Sequence, residues 1–154
     1  MNLPYQIILA DDHARFRLEI RKILNEIQGI AVIAEIGDGH ELFKLLETLR
    51  PDAILLDISM PNLQGMKATQ IIKSLYPEIK VIMMVLDGDS EYLAHAKAAG
   101  ADGILLKENS PRDLESAILK VRRGGRYFSR FLEGRKVGDI VKNNRLVGFP
   151  PKVS

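Results

Sequence analysis

Residues 53–61 read Ala-Ile-Leu-Leu-Asp-Ile-Ser-Met-Pro, a run of four apolar residues that ends at an aspartate. A short apolar run of this kind is typical of a strand buried on both faces of a parallel sheet, and it predicts a strand over Ala53–Asp57. An ionised carboxylate at the end of a buried strand costs free energy unless it is paired or used. Asp57 is therefore the first candidate functional residue of the chain.

Two further apolar runs end in the same way. One leads to Asp11 and Asp12, and another leads to Lys107. The carboxyl ends of parallel strands meet at one edge of a sheet, so these side chains and Asp57 should converge there. Three carboxylates with one ammonium group form a site suited to a hard divalent cation and a phosphoryl group.

The order of the elements predicts the fold class. Apolar runs alternate with helical patterns five times, and right-handed crossovers then place helices on both faces of the sheet. We therefore predict an α/β fold, a doubly wound (βα)5 unit with a five-stranded parallel sheet. The predicted strands are Tyr5–Ala10, Ile30–Ile36, Ala53–Asp57, Val81–Leu86 and Gly103–Leu106, and the helical patterns cover about Phe16–Ile27, His40–Arg50, Met66–Leu75, Ser90–Ala99 and Ser110–Arg123, the last with Ser110 as its cap.

Composition narrows the class of protein. The chain has 154 residues, so one domain with one sizeable core is the default. It has no cysteine, which excludes disulfides, thiolate metal sites and cysteine nucleophiles. No apolar run approaches the roughly 20 residues of a membrane span, and the N-terminus shows no signal-peptide pattern. We expect a soluble, cytoplasmic protein.

Charge divides the chain into an acidic body and a basic tail. Residues 126–154 hold seven Lys/Arg and two acids, giving 7 − 2 = +5, so the remainder carries +2 − 5 = −3. We expect a first unit over residues 1–125 and a tail or truncated linker over residues 126–154, with no complete output domain. Arg126–Phe131 could extend the last helix. Nucleic-acid contact by the tail is the sharper interpretation of its charge, and a solvated linker is the more ordinary one.

The charged cluster has a defined chemistry if it forms. Clustered carboxylates repel one another and so bind a divalent cation readily, and Mg²⁺ suits oxygen ligands. Asp57 is already a nucleophile at neutral pH, and Lys107 would pair with phosphoryl oxygens as a point charge. Other roles stay open here, because Asp11 or Asp12 could cap the following helix and His13 is more typical of an exposed first-turn residue than of a ligand.

Taken together, these motifs resemble the receiver domain of two-component response regulators. They are Asp11-Asp12, Asp57 with Met60-Pro61 and Gly65, and the run Gly100–Gly103 leading to Lys107, over about residues 5–125. Further details are most similar to the subfamily with a C-terminal LuxR-type helix-turn-helix, namely Asp11-Asp12-His13, Leu105-Leu106-Lys107, Ser110-Pro111 and Gly125–Ser129. The resemblance implies a flavodoxin-like, CheY-like fold with strand order 2-1-3-4-5.

The resemblance also implies roles for the cluster. Asp57 would accept a phosphoryl group from a sensor histidine kinase with Mg²⁺ as the cofactor, and Lys107 would assist. Asp12 would bind the metal directly and Asp11 largely through water, with Asp57 and the backbone carbonyl of Ser59 completing the protein ligands. The implied partners are the kinase and a second copy of the chain in a homodimer, with DNA only if a longer form carries an output domain. No membrane partner is implied.

Three positions depart from the family pattern. Receivers usually carry Ser or Thr at the end of the fourth strand, where this chain has Val85, then a small residue, where it has Leu86, and an aromatic residue at the position of Ile104. The usual phosphate-dependent switch is therefore atypical, and a phosphorylation-independent interaction module is the alternative function. An aspartyl phosphatase would usually place a second acid where Ser59 stands, so we expect no enzyme.

Overall fold

In the computed structural model, the described residues are 3–86 and 90–129, and they form six strands and five helices. The strands are β1 (Tyr5–Ala10), β2 (Ile30–Ile36), β3 (Ala53–Asp57), β4 (Lys80–Val85), β5 (Gly103–Leu106) and β6 (Tyr127–Phe128). The helices are α1 (Ala14–Glu26), α2 (His40–Leu46), α3 (Gly65–Leu75), α4 (Ser90–Ala98) and α5 (Ser110–Arg122). The five predicted strands and five predicted helices are thus confirmed, with shifts of a few residues at their ends.

The six strands form one parallel sheet in the order β2-β1-β3-β4-β5-β6. The predicted order 2-1-3-4-5 is confirmed, and β6 is added at the edge of β5. In register, Ala10 lies beside Leu56 in the centre of the sheet, and Asp57 lies beside Met84. This order places β1 and β3 together, so the two ends that carry carboxylates are neighbours.

The helical expectation for Arg126–Phe131 is wrong over its described part, because residues 127–128 form β6. Gly124 has a φ of +91°, and such a left-handed residue ends a helix by redirecting the chain. The edge of β5 then offers unpaired backbone groups. The amide of Ser129 donates to the carbonyl of Ile104 at 3.0 Å. Residues 130–154 lie outside the described part, so most of the predicted tail is not described.

The core has two halves, one on each face of the sheet, as alternation of side chains along a strand requires. Helices α1 and α5 cover one face with Ile20, Leu24, Leu114 and Ile118. The other face packs against α2, α3 and α4, with Leu42, Leu46, Ile72, Leu93 and Ala96 in its core. Strand β2 is an edge strand, and it is only partly buried over most of its length.

Two local details differ from the sequence patterns. Helix α2 ends at Leu46 rather than near Arg50. Helix α5 has Asn109 at its N-cap, and Ser110 is already its first helical residue, with its hydroxyl donating to the carbonyl of Leu106 at 3.2 Å. Among the described residues, no helix has the length and apolar character that a membrane span needs.

Candidate functional site

The sheet brings together three charged residues at the carboxyl ends of β1, β3 and β5, where Asp57 is the last residue of β3 and Asp11 and Lys107 directly follow β1 and β5. Asp11 and Asp57 have no exposed surface, and Lys107 is 8% exposed. A 3₁₀ turn that begins at Lys107 follows β5, so this side chain starts at the sheet edge and reaches back across the neighbouring strand ends. Its Nζ lies 3.0 Å from Asp57 Oδ2 and 3.1 Å from Asp11 Oδ2. The predicted convergence of these residues is therefore present.

The ammonium group of Lys107 uses all of its donors within this cluster. It donates to Asp57 Oδ2 at 3.0 Å, to Asp11 Oδ1 at 3.3 Å and to His13 Nδ1 at 2.8 Å. It also lies 4.7 Å from the centre of the Phe16 ring, where the ring face attracts a cation. A lysine ammonium has three N–H donors, so its orientation is fixed by the acids around it.

Asp57 accepts three hydrogen bonds, which favour its ionised form. Besides the bond from Lys107, its Oδ1 accepts from the amide of Ser59 at 3.1 Å and from the Ser59 hydroxyl at 2.9 Å. Burial by itself would raise the pKa of Asp57, but the hydrogen bonds from Lys107 and Ser59 together with the charge of Lys107 lower it. The carboxylate at the end of β3 is thus held as an anion in a buried position.

The pKa of Asp11 is shifted in the opposite direction, above its ordinary value. Burial raises the pKa of Asp11, and the nearby charge of Asp57 adds to this effect, while the bond from the His13 amide to Oδ1 at 2.7 Å and the pairing with Lys107 oppose it. Its Oδ2 is buried and accepts no hydrogen bond, although Lys107 Nζ lies near it. A buried carboxylate oxygen without a hydrogen bond is uncommon, and a cation would satisfy it.

The cluster fits a divalent cation. One ligand atom from each of Asp11, Asp12, His13 and Asp57 lies within 4.8 Å of the others. Three carboxylates and the ammonium of Lys107 leave a formal charge of −3 + 1 = −2, which a divalent ion would neutralise. Asp12 has a side chain that is 30% exposed, so the cluster is open to solvent on that side. The chemistry of this oxygen-rich donor set suits Mg²⁺.

The alternative role of Asp11 or Asp12 as a helix cap is not present. Helix α1 has His13 at its N-cap and no side-chain hydrogen bond to its free amides. Instead, the Asp11 carboxylate faces Lys107 and the amide of His13. Both acids therefore remain available to the cluster.

The loop between β2 and α2 contacts the segment that follows Asp57. The amide of Gly39 donates to the carbonyl of Pro61 at 2.9 Å, and Asn62 Nδ2 donates to Asp38 Oδ2 at 2.7 Å. Asn62 has a φ of +58°, a left-handed conformation that asparagine tolerates. A Cβ on Gly39 would lie 2.7 Å from the Leu63 Cβ, so this close approach requires glycine.

The three positions that the sequence predicts to depart from the family pattern fall into two environments. Val85 and Ile104 are buried and belong to the core that faces α2, α3 and α4. Leu86 is 57% exposed and lines a groove of about 510 Å³ beside Phe16 and Lys107. Two of the positions are thus filled by packed aliphatic side chains, and the third lies on the rim of the site.

Sequence reasoning missed two contacts in this site. It assigned only the backbone of Ser59 a role, whereas the Ser59 hydroxyl bonds Asp57. It predicted an exposed His13, which the 59% exposure of this side chain confirms, but it did not predict that the ring nitrogen contacts Lys107. The available signal was that His13 follows Asp12 and that Ser59 lies two residues after Asp57. Spacing in the sequence, however, does not determine the direction of a side chain where a strand ends.

Comparison with known proteins gives the family. Residues 7–119 match the model of the response regulator receiver domain. The chain is 38% identical over 123 residues to the transcriptional regulatory protein DegU of Brevibacillus brevis, covering 80% of this chain and 52% of DegU. It is also 37% identical to the response regulator UvrY of Escherichia coli, covering 80% of this chain and 56% of UvrY. The chain thus spans a little over half the length of these curated relatives.

Solved structures agree with this result. A two-component response regulator of the LuxR family from Aurantimonas sp. SI85-9A1 superposes with a TM-score of 0.81 at 28% identity, covering 90% of this chain and 99% of that one. The structure of two RcsB dimers bound to two parallel DNAs superposes with a TM-score of 0.77 at 27% identity, covering 84% of this chain and 68% of that one. With its fold, its charged cluster and these matches, the chain belongs to the response regulator receiver family.

Proposed function

We propose that Asp57 accepts a phosphoryl group from a sensor histidine kinase in a two-component pathway. The observation that carries the proposal is a buried, ionised Asp57 paired with Lys107 beside Asp11. In the transfer, a carboxylate oxygen of Asp57 forms the new bond to phosphorus while the phosphorus–nitrogen bond of the phosphohistidine breaks. Lys107 then pairs with the phosphoryl oxygens as it now pairs with the carboxylates.

The proposal includes a Mg²⁺ site. Asp11, Asp12, Asp57 and the backbone carbonyl of Ser59 would hold the ion, whose bound charge would screen the repulsion between the incoming phosphoryl group and the acids. The charge of −2 that remains with Lys107 in place supports this assignment. Asp12 lies on the open side of the cluster, where an ion would enter.

Intact-mass measurement tests the acceptor directly. The protein is incubated with acetyl phosphate, with and without Mg²⁺, and we expect one added phosphoryl group only with the ion. Asp57→Asn should abolish the addition. Asp52→Asn is the matched control, because Asp52 is exposed and precedes the same strand at its opposite end. Unmodified native protein, or equal modification of Asp57→Asn, would refute the proposal.

A phosphorylation-independent interaction module is the second candidate function. Buried Val85 and Ile104 favour it, because neither side chain can hydrogen-bond a phosphoryl group. Amide NMR during titration with beryllofluoride separates the two candidates. Shifts that spread from Asp57 into α4 and α5 would exclude the module, whereas shifts confined to the residues around Asp57 would support it. Val85→Thr is nearly isosteric and restores the hydroxyl, so a wider response in that variant would identify Val85 as the cause.

The partners and the remaining segment are part of the proposal. We infer that residues 1–125 act as the receiver unit, to which β6 adds, and that the basic residues from 126 onward act as a linker or tail. A homodimer is proposed, and sedimentation with and without beryllofluoride tests it. DNA contact is proposed only for a longer form that carries an output domain, because the curated relatives are longer than this chain. A salt-dependent gel shift tests the basic tail directly. No turnover of a generic phosphate ester is expected.

A further inference from the structure

Arg17 lies in the first turn of α1, and its guanidinium group contacts the loop that joins β1 to α1. Its Nη1 donates to the carbonyl oxygen of Asp11 and lies 3.5 Å from the carbonyl oxygen of Ile36, the last residue of β2. The Asp11 amide donates to the same Ile36 carbonyl at 3.0 Å. One guanidinium group thus joins the backbone that carries Asp11 to the end of the neighbouring strand.

The bond to the Asp11 carbonyl also acts on Asp12. The carbonyl of Asp11 and the amide of Asp12 belong to one peptide group, and a peptide group is planar. A donor that fixes the direction of this carbonyl therefore fixes the plane that leads to the Cα atom of Asp12. The Asp12 side chain is 30% exposed, so packing alone holds it only in part. Arg17 is thus placed to set the position of this acid.

The loop needs an anchor because its acids repel a neighbouring acid. Asp11 and Asp57 have no exposed surface, and the ammonium of Lys107 lies 3.1 Å and 3.0 Å from their carboxylates. One ammonium balances one of these two charges, and Asp12 adds a third carboxylate. The remaining repulsion favours displacement of the loop away from β3. A bond to the loop backbone opposes that displacement without occupying a carboxylate oxygen.

Glu35 on β2 holds the guanidinium group in this place. Its Oε1 accepts from Arg17 Nε at 3.2 Å, and its Oε2 accepts from Arg21 Nη1 at 3.0 Å. The two arginines therefore share a helix, a charge and a carboxylate partner. Within the described part of the chain, Arg17 bonds to the Asp11 carbonyl and Arg21 does not. Arg21 is the matched control for every effect of Arg17 that comes from charge or from Glu35.

We propose that Arg17 is a positioning residue that holds Asp12 in place for the cation of the phosphoryl-transfer site. The inference rests on the proposed function and adds a residue that acts through the loop rather than as a ligand. Charge alone predicts the opposite effect on the ion, because removing a cation near these acids strengthens their attraction for Mg²⁺. The direction of the change in Mg²⁺ affinity therefore distinguishes positioning from charge.

Amide NMR titration with Mg²⁺ tests the proposal on the native protein, Arg17→Met and Arg21→Met. Methionine keeps an apolar stem and has a helix propensity close to that of arginine. Arg17→Met should weaken Mg²⁺ binding by roughly tenfold or more, as loss of a group that orients metal ligands does. Arg21→Met should change the affinity by less than about threefold, as expected for an exposed ion pair.

The conservative variant Arg17→Lys separates geometry from charge. It keeps the positive charge but replaces the planar fork with one ammonium, which cannot bond to Glu35 and to the Asp11 carbonyl in the same geometry. Its Mg²⁺ affinity should lie between those of the native protein and Arg17→Met. If Arg17→Met does not fold, this variant decides, and native Mg²⁺ affinity in Arg17→Lys would overturn the inference.

Amide relaxation of the metal-free proteins provides a readout that needs neither the ion nor phosphorylation. In Arg17→Met, the order parameters of the Asp12 and His13 amides should fall from the rigid range of about 0.85 towards the flexible range below about 0.6. In Arg21→Met they should stay in the rigid range. A purely structural ion pair with Glu35 would affect both variants alike.

Two sets of results would overturn the inference, and they differ in what else they affect. If both methionine variants bind Mg²⁺ equally, or if Arg17→Met binds it more tightly than the native protein, Arg17 does not position Asp12. The proposed function then stands, because the native protein still binds the ion. If the native protein binds no Mg²⁺, the cation site of the proposed function fails and the inference fails with it.

Discussion

Replacing Lys107 with methionine tests the electrostatic design of the site. Lys107→Met keeps an apolar stem of similar length and removes the charge. It leaves Asp11 and Asp57, both without exposed surface, facing each other without the ammonium that lies 3.0–3.1 Å from each. The variant should therefore be less stable than the native protein at neutral pH.

The structure sets the expected size of the loss. Removing one partner of a fully buried ion pair costs about 3–5 kcal/mol. Here water reaches the cluster beside Asp12 and His13, whose side chains are 30% and 59% exposed, and protonation of Asp11 can relieve part of the repulsion. We therefore expect a loss of about 2–3 kcal/mol in the free energy of unfolding, below the fully buried range.

Urea unfolding followed by circular dichroism measures this loss, since the chain has no tryptophan. Lys67→Met is the matched control, because Lys67 is exposed on α3, and it should change stability by less than about 0.5 kcal/mol. Repeating Lys107→Met in an Asp57→Asn background completes a double-mutant cycle. There the cost should fall by about 1 kcal/mol or more, because one of the two buried charges is gone.

Two results would refute the reasoning. A loss below about 0.5 kcal/mol for Lys107→Met would show that the buried charges do not depend on the ammonium. An equal loss in the native and Asp57→Asn backgrounds would show that Lys107 and Asp57 do not interact as their separation of 3.0 Å requires.

Three other perturbations probe the loops and the buried titrating groups, each by urea unfolding. Asp11→Asn should raise the free energy of unfolding at pH 7 but not near pH 3. Because burial raises the pKa of Asp11 in the folded state, the ionised carboxylate lowers the stability of the native protein only as the pH rises above the unfolded pKa of about 3.9. A gain in stability at pH 3 would contradict this argument. Gly39→Ala should cost about 1–3 kcal/mol, since the new Cβ meets the Asn62 carbonyl, whereas Gly37→Ala meets the flexible end of an arginine and should cost less. Burial raises the pKa of Tyr5 to about 12, so the free energy of unfolding should fall as the pH rises from about 10 towards that value. Tyr5→Phe should lose less stability than the native protein over this pH range. Equal slopes of unfolding free energy against pH in the two proteins would refute this prediction.

The strands and their charged ends were predictable because their signals are local. An apolar run such as Ala53–Asp57 is a strand by composition, and a parallel sheet places all strand ends on one edge. The convergence of Asp11, Asp57 and Lys107 then follows from topology. The pattern predicted that these side chains meet, but it did not predict the distances of 3.0–3.1 Å between the Lys107 ammonium and the two carboxylates.

The parts that were missed depend on non-local choices. Strand β6 forms because β5 has a free edge. It contains only two residues, which is too short an apolar run to predict a strand from the sequence. The direction of His13 is decided by Lys107, which is 94 residues further along the chain. The Ser59 hydroxyl donates a hydrogen bond to Asp57, where it could instead have bonded to solvent. Sequence spacing carries no information on any of these three.

The proposed function consists of two tasks that depend on different interactions. In the proposed function, accepting a phosphoryl group is electrostatic and would depend on Asp57, Lys107 and the acids around them. Reporting it requires a group that gains a hydrogen bond, and both Val85 and Ile104 instead pack into the core with 4% and 0% exposure. Moving either side chain would cost apolar burial without a new hydrogen bond in return. If Asp57 is phosphorylated, the response must therefore arise through Lys107 and the loops at the sheet edge, whose positions depend on charge rather than on core packing.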